Sequence, residues 1–267
     1  ILTKWLQVSC ERGHETGQRL YAAASNVSKD FCPKVSIVVP NYNHAKYLRK
    51  RLDSVYQQTY NNIEVILLDD ASNDESTVIL NEYAQRYPEI TRCYFNNSNA
   101  GAVFHQWNKG FETATGSLIW IAESDDYCSE NLLAELVKVF TNEAVMIAYA
   151  RTVFVEDDTA KPIWSMEEYL AGFNPAFWQQ PFLESAHRLV NSCWAMKNII
   201  PNVSSAVFRH PGRMALLADQ SWRQMKICGD WVFYLHLIRG RLVAYSPIPT
   251  NYYRLHNQNT SVGTYSQ

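Results

Sequence analysis

Val35-Ser36-Ile37-Val38-Val39-Pro40-Asn41-Tyr42-Asn43 opens the regular part of the chain: a short β-branched run, stopped by proline and followed at once by a polar turn. A continuous apolar run of this length reads as a strand buried on both faces, the kind found in parallel sheets. Downstream, Tyr47, Leu48, Leu52, Val55 and Tyr56 recur at helical spacing, and residues 63–68 form a second buried run ending in Asp69-Asp70. Asp74 can cap a helix carrying Val78, Ile79, Tyr83 and Tyr87. A third strand is predicted over 91–95, and a helix with Val103, Phe104, Trp107 and Phe111 ends by Gly116. A fourth strand over 117–122 runs straight into Glu123-Ser124-Asp125-Asp126. A helix with Leu132, Leu133, Leu136, Val137 and Phe140 follows, then a strand over 145–149.

Strands alternating with helices across short connections imply an α/β fold with a mostly parallel sheet and right-handed crossovers. In open sheets of this kind the ligand crevice lies at the carboxyl ends of the strands. The polar clusters fall at those ends: Pro40-Asn41-Tyr42-Asn43, Asp69-Asp70 and residues 123–126. Beyond about residue 150 the alternation breaks. Residues 156–200 are rich in aromatics (Trp164, Phe173, Phe177, Trp178, Phe182, Trp194), which serve either as a sugar-stacking cleft or as core for an irregular lobe. Order returns with a strand over 202–208, a helix from Asp230, and two short strands over 242–245 and 252–255.

A chain of 267 residues can bury one large α/β core, and 47% hydrophobic with 19% charged residues is ordinary for a globular protein. The formal net charge of −2 gives no basic face for a nucleic acid. No apolar run reaches bilayer-spanning length. Six cysteines are scattered without CxxC spacing, which argues against a zinc site and reads as reduced thiols in a cytoplasmic setting. On the same reading, the N-x-S triplets at Asn26, Asn96, Asn202 and Asn259 are chance matches.

Glu123, Asp125 and Asp126 repel one another, and such a group is stabilised when a divalent cation sits among them; hard oxygen donors suit Mn2+ or Mg2+. The plainer reading is a solvated turn that caps the next helix, and the other strand-end clusters weigh against it. Asp70 can accept from a ribose hydroxyl or from the N3–H of uracil, but a dinucleotide fold also places an acid there. The first turn separates the two. Residues 39–44, Val-Pro-Asn-Tyr-Asn-His, contain no glycine to admit a pyrophosphate, and Tyr42 offers a ring for base stacking.

These segments, with Ser54-Val55, Gln57-Gln58-Thr59, Leu68-Asp69-Asp70-Ala71-Ser72-Asn73-Asp74, Asn99-Ala100-Gly101, Asn108-Lys109-Gly110 and Ala114-Thr115-Gly116, resemble family 2 glycosyltransferases in collinear order from about Lys34 to Asp126. The resemblance resumes at residues 202–209, at Gly229-Asp230-Trp231 and at Tyr253-Arg254-Leu255-His256. It implies a GT-A fold with a Rossmann-like sheet, helices on both faces and a smaller acceptor-side lobe. It also implies inverting transfer from a nucleotide-sugar, a UDP-sugar, to a saccharide or glycolipid hydroxyl, in the setting of bacterial surface-polysaccharide assembly.

Carried over by position, Pro40, Tyr42, Asp70, Asn99 and Asp125 fall in the nucleotide site. Asp126, Asp125, Glu123 and His256 fall around a Mn2+ or Mg2+ ion, and Asp230 in the place of the catalytic base. Glu123 stands where an aspartate is frequent, and Gly229 where an acidic neighbour is. Asp230 also suits a helix N-cap, and His256 a hydrogen-bonded surface histidine. Two other classes share parts of this pattern: a nucleotidyltransferase, whose glycine- and lysine-rich first loop is missing here, and a catalytically silent sugar-nucleotide- or partner-binding domain.

Residues 1–31 stand apart as a helical extension or linker to a neighbouring domain, with Leu2, Trp5, Leu6, Leu20 and Tyr21 broken by Gly13 and Gly17. The expected domain is 32–267, with a nucleotide-sugar half over 34–150 and an acceptor half over 151–267. The family setting adds peripheral association with the inner face of a membrane as an expectation.

Overall fold

The computed structural model describes residues 16–26, 30–212, 221–225, 227–256 and 259; Leu2, Trp5, Leu6, Cys10 and Gly13 lie outside them. Residues 16–25 are helical (α1) and rest on the body of the same chain. Tyr21 is buried there, and Thr141 Oγ1 donates to Ala24 O at 2.7 Å. The alternating part follows as β1 (Val35–Asn41), α2 (Ala45–Tyr56), β2 (Ile63–Asp69), α3 (Ser76–Arg86), β3 (Thr91–Phe95), α4 (Val103–Thr113) and β4 (Leu118–Ile121). Then come β5 (Tyr127–Cys128), α5 (Leu132–Val137), β6 (Val145–Glu156), β7 (Pro162–Trp164), α6 (Met166–Tyr169), β8 (Phe182–Ser185) and α7 (Ala186–Leu189). The last elements are β9 (Ala206–Arg209), α8 (Gly229–Leu237) and β10 (Leu242–Leu255).

β1 is buried along its whole length, as its unbroken apolar run requires. Its side chains divide by the strand period of two. Val35, Ile37 and Val39 join the layer containing Leu48, Leu52, Ile79 and Leu80 of α2 and α3, and Val38 joins the layer containing Phe104, Trp107 and Phe111 of α4. The sheet order is β3-β2-β1-β4-β9-β6-β10-β5. The first four strands are mutually parallel, and β6 and β10 are parallel, while β9 runs antiparallel between β4 and β6. A mixed α/β architecture with a parallel sheet and helices on both faces therefore stands.

Three details differ from expectation. The strand over 202–208 begins only at Ala206, because the Asn202 side chain accepts from Ser204 N and sets one tight helical turn first. The two short C-terminal strands are one, β10, whose register slips between Ser246 and Thr250, so Pro247 and Pro249 lie where no ladder hydrogen bond is needed. Asp74 is not the formal cap of α3, yet its carboxylate accepts from Ser76 N and from Ala45 N, each at 2.9 Å, and so serves the first turns of α3 and α2 together.

In the aromatic lobe Trp178, Phe182 and Trp194 are fully buried and act as core, whereas Trp164 is half-exposed. Among the described residues no helix is long and apolar enough to cross a membrane, and Cys32, Cys93, Cys128, Cys193 and Cys228 are free thiols.

Glu64 ties the parallel half together. Its Oε1 accepts from Ser36 Oγ at 2.5 Å, Thr115 N at 2.7 Å and Thr115 Oγ1 at 2.8 Å, and Lys34 Nζ stands 3.1 Å from Oε2. Burial opposes the charge, but these bonds outweigh it and hold the carboxyl down at about 2. A depressed carboxyl stabilises the fold above its unfolded value near 4.5, and that contribution is lost as the pH falls toward about 2. Glu64→Gln is therefore expected to cost about 1–3 kcal/mol in urea unfolding at pH 7, with the gap to wild type narrowing at pH 3.

Candidate active site at the carboxyl edge of the sheet

The turns after β1 and β2 brace each other. Asn41 lies opposite Asp69, whose carboxylate accepts from Asn41 Nδ2 at 2.8 Å, Ser72 Oγ at 2.6 Å and Ser72 N at 2.9 Å. Asp69 is thus spent on structure. Asn43 and Ala71 both take left-handed conformations (φ 54° and 61°), and Asn43 Oδ1 accepts from Asn73 N at 2.8 Å. Tyr42 projects from this bracket, 45% exposed, so its ring face is free to meet a ligand. Pro40 lies buried in β1 opposite Leu68. Asp70 turns toward the loop after β3, accepting from Asn96 Nδ2 at 2.7 Å and from Ala100 N at 3.0 Å. Asn99 is exposed, and its Oδ1 accepts from Gly101 N at 2.6 Å, where Gly101 adopts φ 84°.

β4 lies beside β1, with Val38 opposite Ile121 and Ala122 N donating to Val38 O at 2.8 Å. Residues 123–126 therefore leave the sheet on the same edge as Tyr42 and Asp70, an adjacent strand away. Ligand atoms of Glu123, Asp125 and Asp126 lie within 4.8 Å of one another. The structure divides their work. Asp126 has no exposed surface, and both its oxygens are engaged: Oδ2 by Ser204 Oγ at 2.8 Å and Oδ1 by Arg254 N at 3.1 Å. Arg51, equally buried, places NH2 3.7 Å from Asp126 Oδ2, while its Nε donates to Glu123 O at 2.7 Å. Glu123 Oε2 accepts from Asn202 Nδ2 at 3.2 Å, and Asp125 Oδ2 meets His256 Nε2 at 3.0 Å. Glu123 Oε1 and Asp125 Oδ1 are the oxygens with no such engagement among the described residues.

The electrostatics follow from crowding. Burial, reinforced by Asp125, pushes Asp126 up to about 7 against Arg51 and Ser204. Burial and then the charges of Asp125, Asp126 and Asp230 drive Glu123 well above the usual carboxylate range. Asp125 moves the other way, because hydrogen bonding to His256 and the nearness of His44 overcome its burial. Burial pulls the His44 imidazole below its ordinary value, against the raising influence of Asp125.

Asp230 stands in the first turn of α8 and is not its formal N-cap, which is Cys228, yet its carboxyl is hydrogen-bonded by the Trp231 backbone N–H, so the capping alternative holds in part. Its Oδ2 accepts from Asn198 Nδ2 at 3.2 Å, Asn198 Oδ1 in turn accepts from Trp194 Nε1 at 3.3 Å, and burial pushes the carboxyl up to about 6. Its charge raises Glu123, which places base candidate and acid cluster around one locality. Gly229 has a steric reason: a Cβ there would stand 2.5 Å from the Phe104 ring and 2.6 Å from Trp222 O, so no acidic neighbour fits.

Sequence reasoning assigned no role to His44, Arg51, Asn198, Asn202 or Ser204. His44 ends the quoted polar turn, and Asn202 and Ser204 lie in the motif 202–209, so position alone could have flagged those three. Arg51 and Asn198 carry no such signal.

The fold and cluster define an enzyme-like α/β scaffold with an acidic site at the carboxyl edge of its sheet, and comparison with known proteins agrees. Residues 36–199, more than half of the chain, match the model of the family described as Glycosyl transferase family 2, and the chain belongs to that family. An uncharacterized glycosyltransferase of Nostoc sp. is 32% identical over 114 residues, 42% of this chain and 34% of that protein. The minor teichoic acid biosynthesis protein GgaB of Bacillus subtilis is 33% identical over 42% of this chain and 12% of its own length. The chain thus spans about a third or less of these two relatives. S. aureus TarS 1–349 in complex with UDP-GlcNAc is similar in structure, with TM-score 0.64 and 18% identity over 85% of this chain and 60% of that one. A mannosyltransferase of Pyrobaculum calidifontis in complex with GDP-Man and Mn2+ gives TM-score 0.60 and 17% identity over 95% and 69%. The fold is that of the GT-A glycosyltransferases.

Ser204 holds both Asp126 and, through Oγ, the Glu123 N–H at 3.0 Å. Ser204→Ala leaves two buried polar groups short of a partner and is expected to lower unfolding free energy by about 1–3 kcal/mol, read from urea denaturation.

Proposed function

We propose that the chain is the catalytic domain of an inverting glycosyltransferase that moves a sugar from a UDP-sugar to a hydroxyl of a saccharide or glycolipid. The observation that carries this reading is the grouping of Glu123, Asp125 and Asp126 on the sheet edge that also presents Tyr42 and Asp70, with Asp230 near enough for its charge to act on Glu123. The ligands of the similar structures, UDP-GlcNAc and GDP-Man with Mn2+, support a nucleotide-sugar donor and a divalent cation. GgaB's name, minor teichoic acid biosynthesis protein, supports a setting in the assembly of bacterial surface polymers.

The nucleoside half of the donor lies over the braced turns. Tyr42 offers its ring to the base. Asp70, held by Ala100 N and Asn96, presents its carboxylate to a base N–H or a ribose hydroxyl. Pro40 and Asn99 shape this pocket through the backbone. The donor set fits Mn2+ or Mg2+: Asp125 and Glu123 carry oxygens without a hydrogen-bond partner, and Asp126 acts from behind them, its own oxygens engaged. Such an ion, when bound, supplies Lewis-acid neutralisation of the departing diphosphate. Asp230 accepts the proton of the acceptor hydroxyl as its oxygen attacks the anomeric carbon from the face opposite the leaving group, which inverts the configuration. Asn198 fixes the carboxylate for this, and burial sets its affinity for the proton near neutrality.

Two measurements test the reading. Calorimetry with UDP is expected to show binding that strengthens when Mn2+ is added; no binding in either case would remove the assignment. With Glu123 and Asp126 raised in the free protein, cation binding should release protons and tighten as the pH rises from 6 to 8.

For the base, kcat/KM of transfer should climb as the pH rises through about 6, since only the ionised carboxylate accepts a proton. Asp230→Asn should keep UDP affinity while kcat falls about 100-fold or more. Turnover equal to wild type would exclude Asp230 as base.

A further inference from the structure

The acid cluster shares one member with a second grouping. Ligand atoms of His44, Asp125 and His256 also lie within 4.8 Å of one another. The three come from distant parts of the chain: the turn after β1, the end of β4 and the end of β10. Asp125 Oδ2 and His256 Nε2 are 3.0 Å apart. Two ligand atoms at right angles around an ion, each with a bond of about 2.1 Å, stand about 3 Å apart, so this pair is already at coordination spacing.

His44 carries the mark of a ligand held ready. Its Nδ1 lies 2.8 Å from Ser124 Oγ, which sets the ring; in the tautomer whose Nδ1–H donates to that hydroxyl, Nε2 keeps its lone pair, the outer-sphere arrangement that orients metal-bound imidazoles. The ring is further fixed edge-on against His256 (5.8 Å, 82°) and against Tyr47 (5.8 Å, 74°). Tyr47 in turn stacks on His256 at 5.0 Å and is tied through its hydroxyl to Asp157 at 3.0 Å. His256 and Asp125 are buried and His44 is part-exposed, so a cation enters from the His44 side.

We propose that His44 is a metal ligand, completing with Asp125 and His256 a site of two imidazoles and one carboxylate, and that this donor set selects Mn2+ over Mg2+. Imidazole nitrogen suits later and softer divalent ions, whereas Mg2+ prefers oxygen throughout. The inference rests on the glycosyltransferase reading only for the nucleotide that shares the ion; the nitrogen ligation is a property of the protein and Mn2+ alone.

The test uses the whole chain with Mn2+, first alone and then with UDP. Pulsed electron spin-echo spectroscopy of bound Mn2+ should show nitrogen modulation from imidazole. His256→Ala should retain part of that modulation, which then comes from His44, and His44→Gln should retain the part from His256. His44→Gln should also weaken Mn2+ about tenfold or more in calorimetry while changing Mg2+ affinity little, narrowing the preference between the two ions. Thermal melting of each variant without metal checks that the fold is kept. Loss of all nitrogen modulation in His256→Ala, or a His44→Gln protein with unchanged modulation and Mn2+ affinity, overturns the proposal, and the glycosyltransferase reading then stands without it. Failure of the wild-type chain to bind UDP as well as Mn2+ would instead bring down the glycosyltransferase reading itself.

Discussion

A guanidinium with no exposed surface sits beside the Asp126 carboxylate and under the Glu123 backbone, at the base of a cluster of three acids, and the rest of the site depends on that placement. Arg51 is buried at the inner face of α2, with its ring neighbour Trp120 at 5.8 Å, its Nε on the Glu123 carbonyl and its NH2 toward Asp126. A lone buried cation is costly, and so are crowded buried anions; together each offsets the other's desolvation. One positive charge against three negative ones leaves a deficit. That deficit adds to burial, the larger cause, in raising the carboxyls of Glu123 and Asp126, and it is what a further cation would fill.

The same economy governs which acids are free to act. Asp69 and Asp126 look equivalent to Asp70 and Asp125 along the chain, yet each is enclosed by hydrogen bonds from neighbouring loops. In both doublets one carboxylate holds the backbone in place. Asp125, beside Asp126, stands with one oxygen free of such a bond, while Asp70 is held by the loop after β3 on the same edge. A rigid partner adjacent in sequence is an inexpensive way to orient a reactive group, since the peptide link transmits the position directly.

Much of this was legible in the residues. β1, β2 and β3 are recognisable because strands buried on both faces leave unbroken apolar runs, and their polar stops mark the carboxyl edge where Tyr42, Asp70 and residues 123–126 gather. Legibility fades where a property depends on contacts between distant segments. Arg51 sits at a helical position that reads as surface until α2 is packed under residue 123. Ser204 and Asn202 sort the acids only because β9 inserts antiparallel next to β4. Pro247 and Pro249 read as strand breakers, and the register slip that absorbs them is invisible without β6 alongside. The aromatics at 178, 182 and 194 show no sequence difference from a ligand-stacking set; burial alone decides that they are core.

The long strand β10 has a consequence for how the protein comes into being. Arg254 and His256 emerge from synthesis more than a hundred residues after Asp125 and Asp126, yet they hold both carboxylates and the Asp125 carbonyl. A nascent chain that has folded only its parallel half carries its crowded anions without their clamp. Capture of a cation by this cluster would therefore be coupled to completion of the sheet, and a half-made molecule would have no finished site with which to sequester metal.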